Sequence, residues 1–121
     1  MPLQIADHPA SAATAPSRVV SLVGQLDMET APMLESALAR LTAGPQPRLV
    51  VDLARLEFCD SIGLSTLILA HNSCVDSGGY LRIAAPTPFM LHLMSVVGVC
   101  DAVPVFDDVE EALSGPATPT G

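Results

Sequence analysis

A hydroxyl and a carboxylate stand side by side in the segment 58–64, which reads FCDSIGL. The apolar, β-branched run 49–53 precedes it and has the composition of a strand buried on both faces of a parallel sheet. After it, apolar residues recur at three- and four-residue spacing until Gly78 and Gly79, a pattern typical of a helix closed by a glycine cap. Asp60 and Ser61 are therefore predicted at a helix N-terminus, where unpaired N–H groups and the positive end of the helix dipole lie.

Two interpretations of this pair are open. Asp60 can be an ordinary N-cap, a role that Asp fills in many helices without any function attached. That interpretation leaves unexplained the small residues around the turn, among them Gly63 in the first helical turn, where glycine costs roughly 1 kcal/mol relative to alanine. Small residues here are predicted to keep the Ser61 hydroxyl accessible to another molecule.

Composition excludes several classes of protein. The chain has 121 residues, the length of one domain, and a net charge of −8 with five Arg and no Lys. A chain with this charge does not provide the basic surface that nucleic-acid binding requires, so no nucleic-acid partner is expected. No run of about 18 apolar residues and no secretory signal is present, so a cytoplasmic protein without a membrane segment is predicted.

Metal, cofactor and catalytic motifs are also missing from the sequence. The three cysteines are widely spaced without a C-x-x-C pair, which favours buried free thiols over disulfides or a zinc site. The three histidines have no ligand-like partner four residues away, and neither glycine-rich phosphate loops nor a G-x-S-x-G elbow occur. We therefore expect no metal, no cofactor and no catalytic residues, and a protein that is not an enzyme.

Strand and helix patterns alternate along the chain. Strands are predicted at 3–6, 18–23, 49–53, 80–84 and 103–106, with Gly24 ending the second; helices are predicted to begin near Thr30, Ser61, Thr87 and Asp107. This order predicts a single α/β domain in which a central, mainly parallel sheet of four to five strands is flanked by about four helices. Residues 1–17 are predicted to form an edge strand and a flexible loop over 8–17, residues 18–113 the domain, and 114–121 a disordered tail.

The third predicted helix, after Thr87, is apolar nearly all the way round. One interpretation places it deep in the core. The other gives it an exposed protein-docking side, for which methionine and phenylalanine are well suited.

With these segments in place, the chain resembles the STAS family, and within it the stand-alone anti-sigma factor antagonists. The resemblance covers roughly residues 18–113 and depends on the order and spacing of GQLD at 24–27 with TAP at 30–32, LVVDL at 49–53 and FCDSIGL at 58–64. It implies a STAS-like fold and a bacterial regulator of transcription. Where Ser or Thr is common after the serine, this chain has Ile62, which removes an alternative phosphosite and adds an exposed apolar contact.

The resemblance implies a phosphorylation switch at Ser61. The expected partner is both an anti-sigma factor and a serine kinase of the GHKL-type ATPase fold. Unphosphorylated protein would bind it and free a sigma factor, phosphorylation would dissolve the complex, and a PP2C-type phosphatase would reset it. A monomer or weak dimer is expected.

The docking surface is predicted on two turns, because loops at the carboxyl ends of parallel strands gather on one edge of a sheet. It comprises the turn 27–30, the helix entry 60–64 and the exposed side of the helix that follows. The residues expected to contact the partner are Asp27, Thr30, Asp60, Ser61, Ile62, Gly63 and Leu64. Asp27 can also be an ordinary turn aspartate.

Two other functions share these features. One is a STAS scaffold subunit of a stressosome-type or lipid-transport complex. The other is a module that binds a small anion or nucleotide at the helix N-terminus.

Overall fold

The computed structural model describes residues 3–11 and 16–114 of the chain. Within them, the strands are β1 Gln4–Ser11, β2 Pro16–Leu26, β3 Arg48–Cys59, β4 Tyr80–Ala84 and β5 Val105–Phe106. The helices are α1 Ala31–Leu41, α2 Ser61–Asp76, α3 Pro88–Val97, α4 Val99–Ala102 and α5 Val109–Ser114. None of the helices in these ranges is long and apolar enough to cross a membrane.

The strands form one sheet in the order β1-β2-β3-β4-β5. β1 is antiparallel to β2, and every other neighbouring pair is parallel. The predicted α/β class and mainly parallel sheet are confirmed. The short α4, which follows α3 directly, was not predicted.

The first hairpin is longer than the sequence indicated. β1 pairs with β2 from Gln4↔Val23 to Ser11↔Pro16, so the predicted loop over 8–17 is wrong for residues 8–11 and 16–17. Alanine, serine and proline favour strands weakly, but the antiparallel ladder to a central strand outweighs that preference. The proposed boundary after residue 17 consequently falls inside β2. The predicted start of the tail at residue 114 is also wrong, because Ser114 is the last residue of α5, while residues 12–15 and 115–121 lie outside the described residues.

Gly24 does not end β2, contrary to the prediction. It is buried with φ 106°, and the register between β2 and β3 shifts between Gly24 and Gln25. Glycine tolerates this positive φ, and the resulting bulge lets the strand continue to Leu26. β3 is likewise extended, reaching Cys59, so that β2 and β3 end side by side at Leu26↔Cys59.

The main core lies on the face of the sheet that α1, α2 and α3 cover. It is built from buried side chains of these helices and of the strands beneath them, including Leu22, Leu26, Leu34, Leu53, Leu56, Leu64, Leu67, Ile83, Met90 and Met94. Cys59 and Cys74 are buried there as free thiols, as predicted, while Cys100 is half-buried.

The opposite face of the sheet has a smaller apolar cluster covered by α5. There Val19, Val50 and Ala84 pack with Ala112 of that helix. Arg82, only 2% exposed, donates from Nη1 to the Ala112 carbonyl at 2.7 Å, and its guanidinium carbon lies 3.9 Å from the Tyr80 ring centroid. A buried cation thus fastens the last helix to the sheet.

Helix α3 begins and ends as predicted but is not wholly in the core. The Thr87 hydroxyl caps it by accepting from Met90 N at 3.2 Å, and Gly98 at φ 86° ends it. Met90 and Met94 are buried, whereas Phe89 is 56% and Val96 69% exposed. Only one side of the helix is therefore in the core.

Candidate functional site

The junction between β3 and α2 is organised by Asp60. Its backbone is extended, and its Oδ1 accepts a hydrogen bond from Gly63 N at 2.9 Å, which confirms the predicted N-cap. Its own N–H donates to the Leu26 carbonyl at 3.1 Å, at the end of the neighbouring strand. The start of α2 is therefore fixed both by its own cap and by β2.

The turn between β2 and α1 is organised by Asp27. Its Oδ1 accepts from the N–H groups of Glu29 at 2.9 Å and Thr30 at 3.1 Å, while Thr30 Oγ1 accepts from Asp27 N at 2.9 Å. This reciprocal pair has the pattern of a capping box. Thr30 does immediately precede α1, but its side chain makes no cap bond to the helix; its hydroxyl donates back to the Gln25 carbonyl at 3.0 Å.

A third set of contacts joins the two turns. Asp60 Oδ2 accepts from Met28 N at 3.1 Å, so the two oxygens of one carboxylate bind one N–H in each turn. The turns lie together because β2 and β3 are adjacent parallel strands that end at the same level. The sequence-based expectation that these turns share one edge of the sheet is met.

The surface of the joined turns is partly apolar. Ser61 is exposed, and among the described residues its hydroxyl forms no hydrogen bond. Ile62 is 46% exposed beside it, and Met28 of the other turn is 66% exposed. Met28 lies inside the turn predicted to dock but was not itself named as a contact, although a large apolar residue between Asp27 and Glu29 is an unusual choice for a turn.

Gly63 and Leu64, which were expected on the docking surface, are buried. Leu64 is part of the main core, and a Cβ at Gly63 would lie 2.6 Å from Leu26 Cγ and 2.9 Å from Cys59 Sγ. The glycine is therefore required by the close packing of α2 against β2 and β3, which corrects the interpretation that it keeps Ser61 accessible. We assign these two residues a structural role beneath the surface.

The charge at this edge is negative and comes from carboxylates alone. The neighbouring Cys59 thiol adds no charge, because burial, and secondarily the Asp60 carboxylate, raise its pKa to about 12. Within the described part of the chain, Asp27, Glu29 and Asp60 form no ion pair. No group of three or more metal-ligating side chains occurs in the same residues. The edge therefore presents a serine hydroxyl, two apolar side chains and carboxylates without basic partners.

Comparison with known protein families gives a match over most of the chain. The family described as "Mlab, STAS domain" matches residues 10–105. The anti-sigma-F factor antagonist RsfB of Mycobacterium tuberculosis is 31% identical over 113 residues, covering 92% of this chain and 85% of that protein. The anti-sigma F factor antagonist of Paenibacillus polymyxa is 26% identical over 97 residues, covering 79% and 83%.

Solved structures agree in fold. An anti-sigma factor antagonist from Mycobacterium paratuberculosis superposes with a TM-score of 0.76 at 29% identity, covering 91% of this chain and 92% of that one. The family match at residues 10–105 runs from the end of β1 to the start of β5 and includes both turns of the site. The chain belongs to the STAS domain family.

Proposed function

We propose that this protein is an anti-sigma factor antagonist that binds its anti-sigma factor through the edge formed by the two joined turns. The observation that carries the proposal is the exposed Ser61 hydroxyl at the first residue of α2, beside carboxylates that form no ion pair within the described residues. The 31% identity to RsfB supports the same role. The relatives that carry antagonist names favour a regulatory protein over an enzyme.

The chemistry of the surface indicates what the partner offers. Asp27, Glu29 and Asp60 favour basic groups on the anti-sigma factor, which would supply long-range attraction as well as orientation. Met28 and Ile62 favour an apolar contact. Full burial of an isoleucine side chain is worth about 1.5–3 kcal/mol, and since Ile62 is already half-covered, its share is ~1 kcal/mol.

Phosphorylation of Ser61 is the proposed switch. The anti-sigma factor, acting as a kinase, would transfer the γ-phosphoryl group of ATP to Ser61 Oγ, releasing ADP and the hydroxyl proton. The phosphate brings about −1.5 to −2 charges to an edge that is already negative. Repulsion and desolvation of several kcal/mol would weaken binding by about 100-fold or more, and a PP2C-type phosphatase would restore it.

The phosphosite is tested by mapping phosphopeptides after incubation with the anti-sigma factor and ATP. We expect modification of Ser61 alone. Ser61→Ala should bind without being switched off, and Ser61→Glu should bind weakly. Ser65→Ala is the matched control, because Ser65 is exposed one turn later on the same helix. Phosphate on Ser21, Ser65 or Thr66 would refute the assignment.

The docking edge is tested by measuring the affinity of variants for the anti-sigma factor. Ile62→Ala should weaken binding about fivefold, and Glu29→Ala should weaken it most at low salt. Glu29 is preferred to Asp27 for this test because the Asp27 carboxylate holds its own turn together. Glu111→Ala, exposed on α5, is the control. Weaker binding of the control alone would place the interface elsewhere, and recovery of a transporter subunit in place of an anti-sigma factor would favour the scaffold function.

A further inference from the structure

The two halves of the docking edge come from turns 32 residues apart in sequence, and Asp60 is the side chain that connects them. Its N–H and its Oδ2 bind Leu26 O and Met28 N, on either side of Asp27. Within the described residues, this is the only hydrogen bond formed by the Met28 N–H. The Asp60 carboxylate is therefore the group that ties the Met28 backbone to the start of α2, where Ile62 lies.

An N-cap alone does not require aspartate. Capping needs one acceptor oxygen, and asparagine and serine cap helices about as well as aspartate. Joining the turns needs a second acceptor on the same side chain, which a carboxylate has and an asparagine lacks, because its NH₂ group is a donor. Replacing Asp60 with asparagine should therefore preserve the cap at Gly63 and remove the hydrogen bond from Met28 N to Asp60 Oδ2, which we call the joint between the turns.

We propose that Asp60 is a positioning residue that assembles the docking edge, and that a phosphate on Ser61 opens this joint. Ser61 directly follows Asp60, so the phosphate and the carboxylate repel each other and compete for the same N–H groups, those of Met28 and Gly63. Once the Met28 turn is released, Met28 and Ile62 no longer present one continuous apolar surface. This second step depends on the proposed function, whereas the joint itself does not.

The joint is tested in the free, unphosphorylated protein by amide hydrogen exchange measured with NMR. In Asp60→Asn, exchange of the Met28 amide should accelerate at least tenfold, while the Gly63 amide stays within about twofold of wild type. Asp60→Ser, which also retains a cap, should give the same pattern. Asp108→Asn is the control, because Asp108 Oδ1 accepts from Glu111 N at 2.7 Å at the remote start of α5. The control should change neither amide.

Two results would refute the claim that the Asp60 carboxylate holds the Met28 turn against α2. One is unchanged Met28 exchange in both Asp60 variants. The other is equal loss of protection at Met28 and Gly63, which would mean that the substitutions only unravel the start of α2.

The link to regulation is tested with protein phosphorylated at Ser61. Its Met28 amide should exchange as fast as in Asp60→Asn. Asp60→Asn should bind the anti-sigma factor about tenfold more weakly at low and at high salt alike, whereas the loss of a direct ion pair with the partner would shrink at high salt. Asp108→Asn should stay within twofold of wild type. If the Met28 amide stays protected from exchange in the phosphorylated protein, phosphorylation does not open the joint, although the joint itself would still be supported. Failure of the wild-type protein to bind any anti-sigma factor would instead refute the proposed function, and the exchange experiment would still decide the joint.

Discussion

Gly63 lies in the first turn of α2, where helix propensity and core packing make opposite predictions for substitution by alanine. Propensity favours alanine by about 1 kcal/mol in a helix interior. Packing opposes it, because the new methyl carbon would lie 2.6 Å from Leu26 Cγ and 2.9 Å from Cys59 Sγ. Carbon atoms in contact normally lie about 3.5–4.0 Å apart, so Leu26 or the helix must move by about 1 Å.

Packing should win this competition. Leu26 is fully buried, and its Cγ is the branch point of the side chain, so it cannot swing into solvent. Overpacking a core costs typically 1–3 kcal/mol. Because the clash is at a branch point and not at a flexible chain end, the cost should lie in the upper part of that range, about 2–3 kcal/mol. With the propensity gain subtracted, Gly63→Ala should lose ~1–2 kcal/mol of unfolding free energy, and the melting temperature should fall by about 3–6 °C for each kcal/mol.

Urea and thermal unfolding followed by circular dichroism measure this effect. Gly44→Ala is the matched control, since a Cβ there meets no atom within 4 Å, and it should change stability by less than about 0.5 kcal/mol. Leu26→Ala removes the nearest clashing atoms and leaves only Cys59 Sγ at 2.9 Å, so in that background Gly63→Ala should cost less than in the wild type. A Gly63→Ala protein as stable as wild type would show that helix propensity dominates and would refute the packing role of this glycine.

Two further predictions concern buried groups. Arg82→Met removes the charge-assisted bond to the Ala112 carbonyl and the contact with Tyr80, so urea unfolding should show a loss of ~2 kcal/mol; unchanged stability would mean that α5 is held by apolar contacts alone. Burial raises the pKa of Cys59 to about 12 and of Cys74 to about 11 from an ordinary 9.0, so above pH 9 the unfolded chain releases protons that the folded protein retains. Stability should therefore fall above pH 9 by up to ~1.4 kcal/mol per pH unit for each thiol, and a Cys59→Ala, Cys74→Ala double variant should show a shallower slope; identical slopes would contradict this.

Features set by neighbouring residues were predictable from the sequence. The Asp60 cap, the Thr87 cap and the Gly78 and Gly98 helix ends all depend on side chains or glycines within a few residues of the helix they bound. The alternation of strands and helices similarly determines a mainly parallel sheet. The same local rules were wrong at Gly24, where pairing with β3 continues the strand, and at Thr30, whose hydroxyl donates to the Gln25 carbonyl and does not cap α1.

Features set by partners distant in sequence were not predictable. The extension of β1 to Ser11 depends on β2, and the exposed side of α3 depends on what the rest of the chain leaves uncovered. The bond between Asp60 and Met28 depends on the register Leu26↔Cys59, which itself follows the bulge at Gly24. No pattern near Asp60 in the sequence indicates a second acceptor role for its carboxylate.

The small residue at position 63 links packing to the proposed switch. Because Gly63 has no side chain, the start of α2 can lie against Leu26 and Cys59. That close approach brings Asp60 to the end of β2, where its N–H meets Leu26 O and its Oδ2 meets Met28 N. A larger residue at 63 would push α2 outward and lengthen both contacts. Gly63 therefore supports the site by packing and not by keeping Ser61 accessible. It lets α2, which carries Ser61, lie against the Met28 turn, and a phosphate on Ser61 would alter the position of that turn.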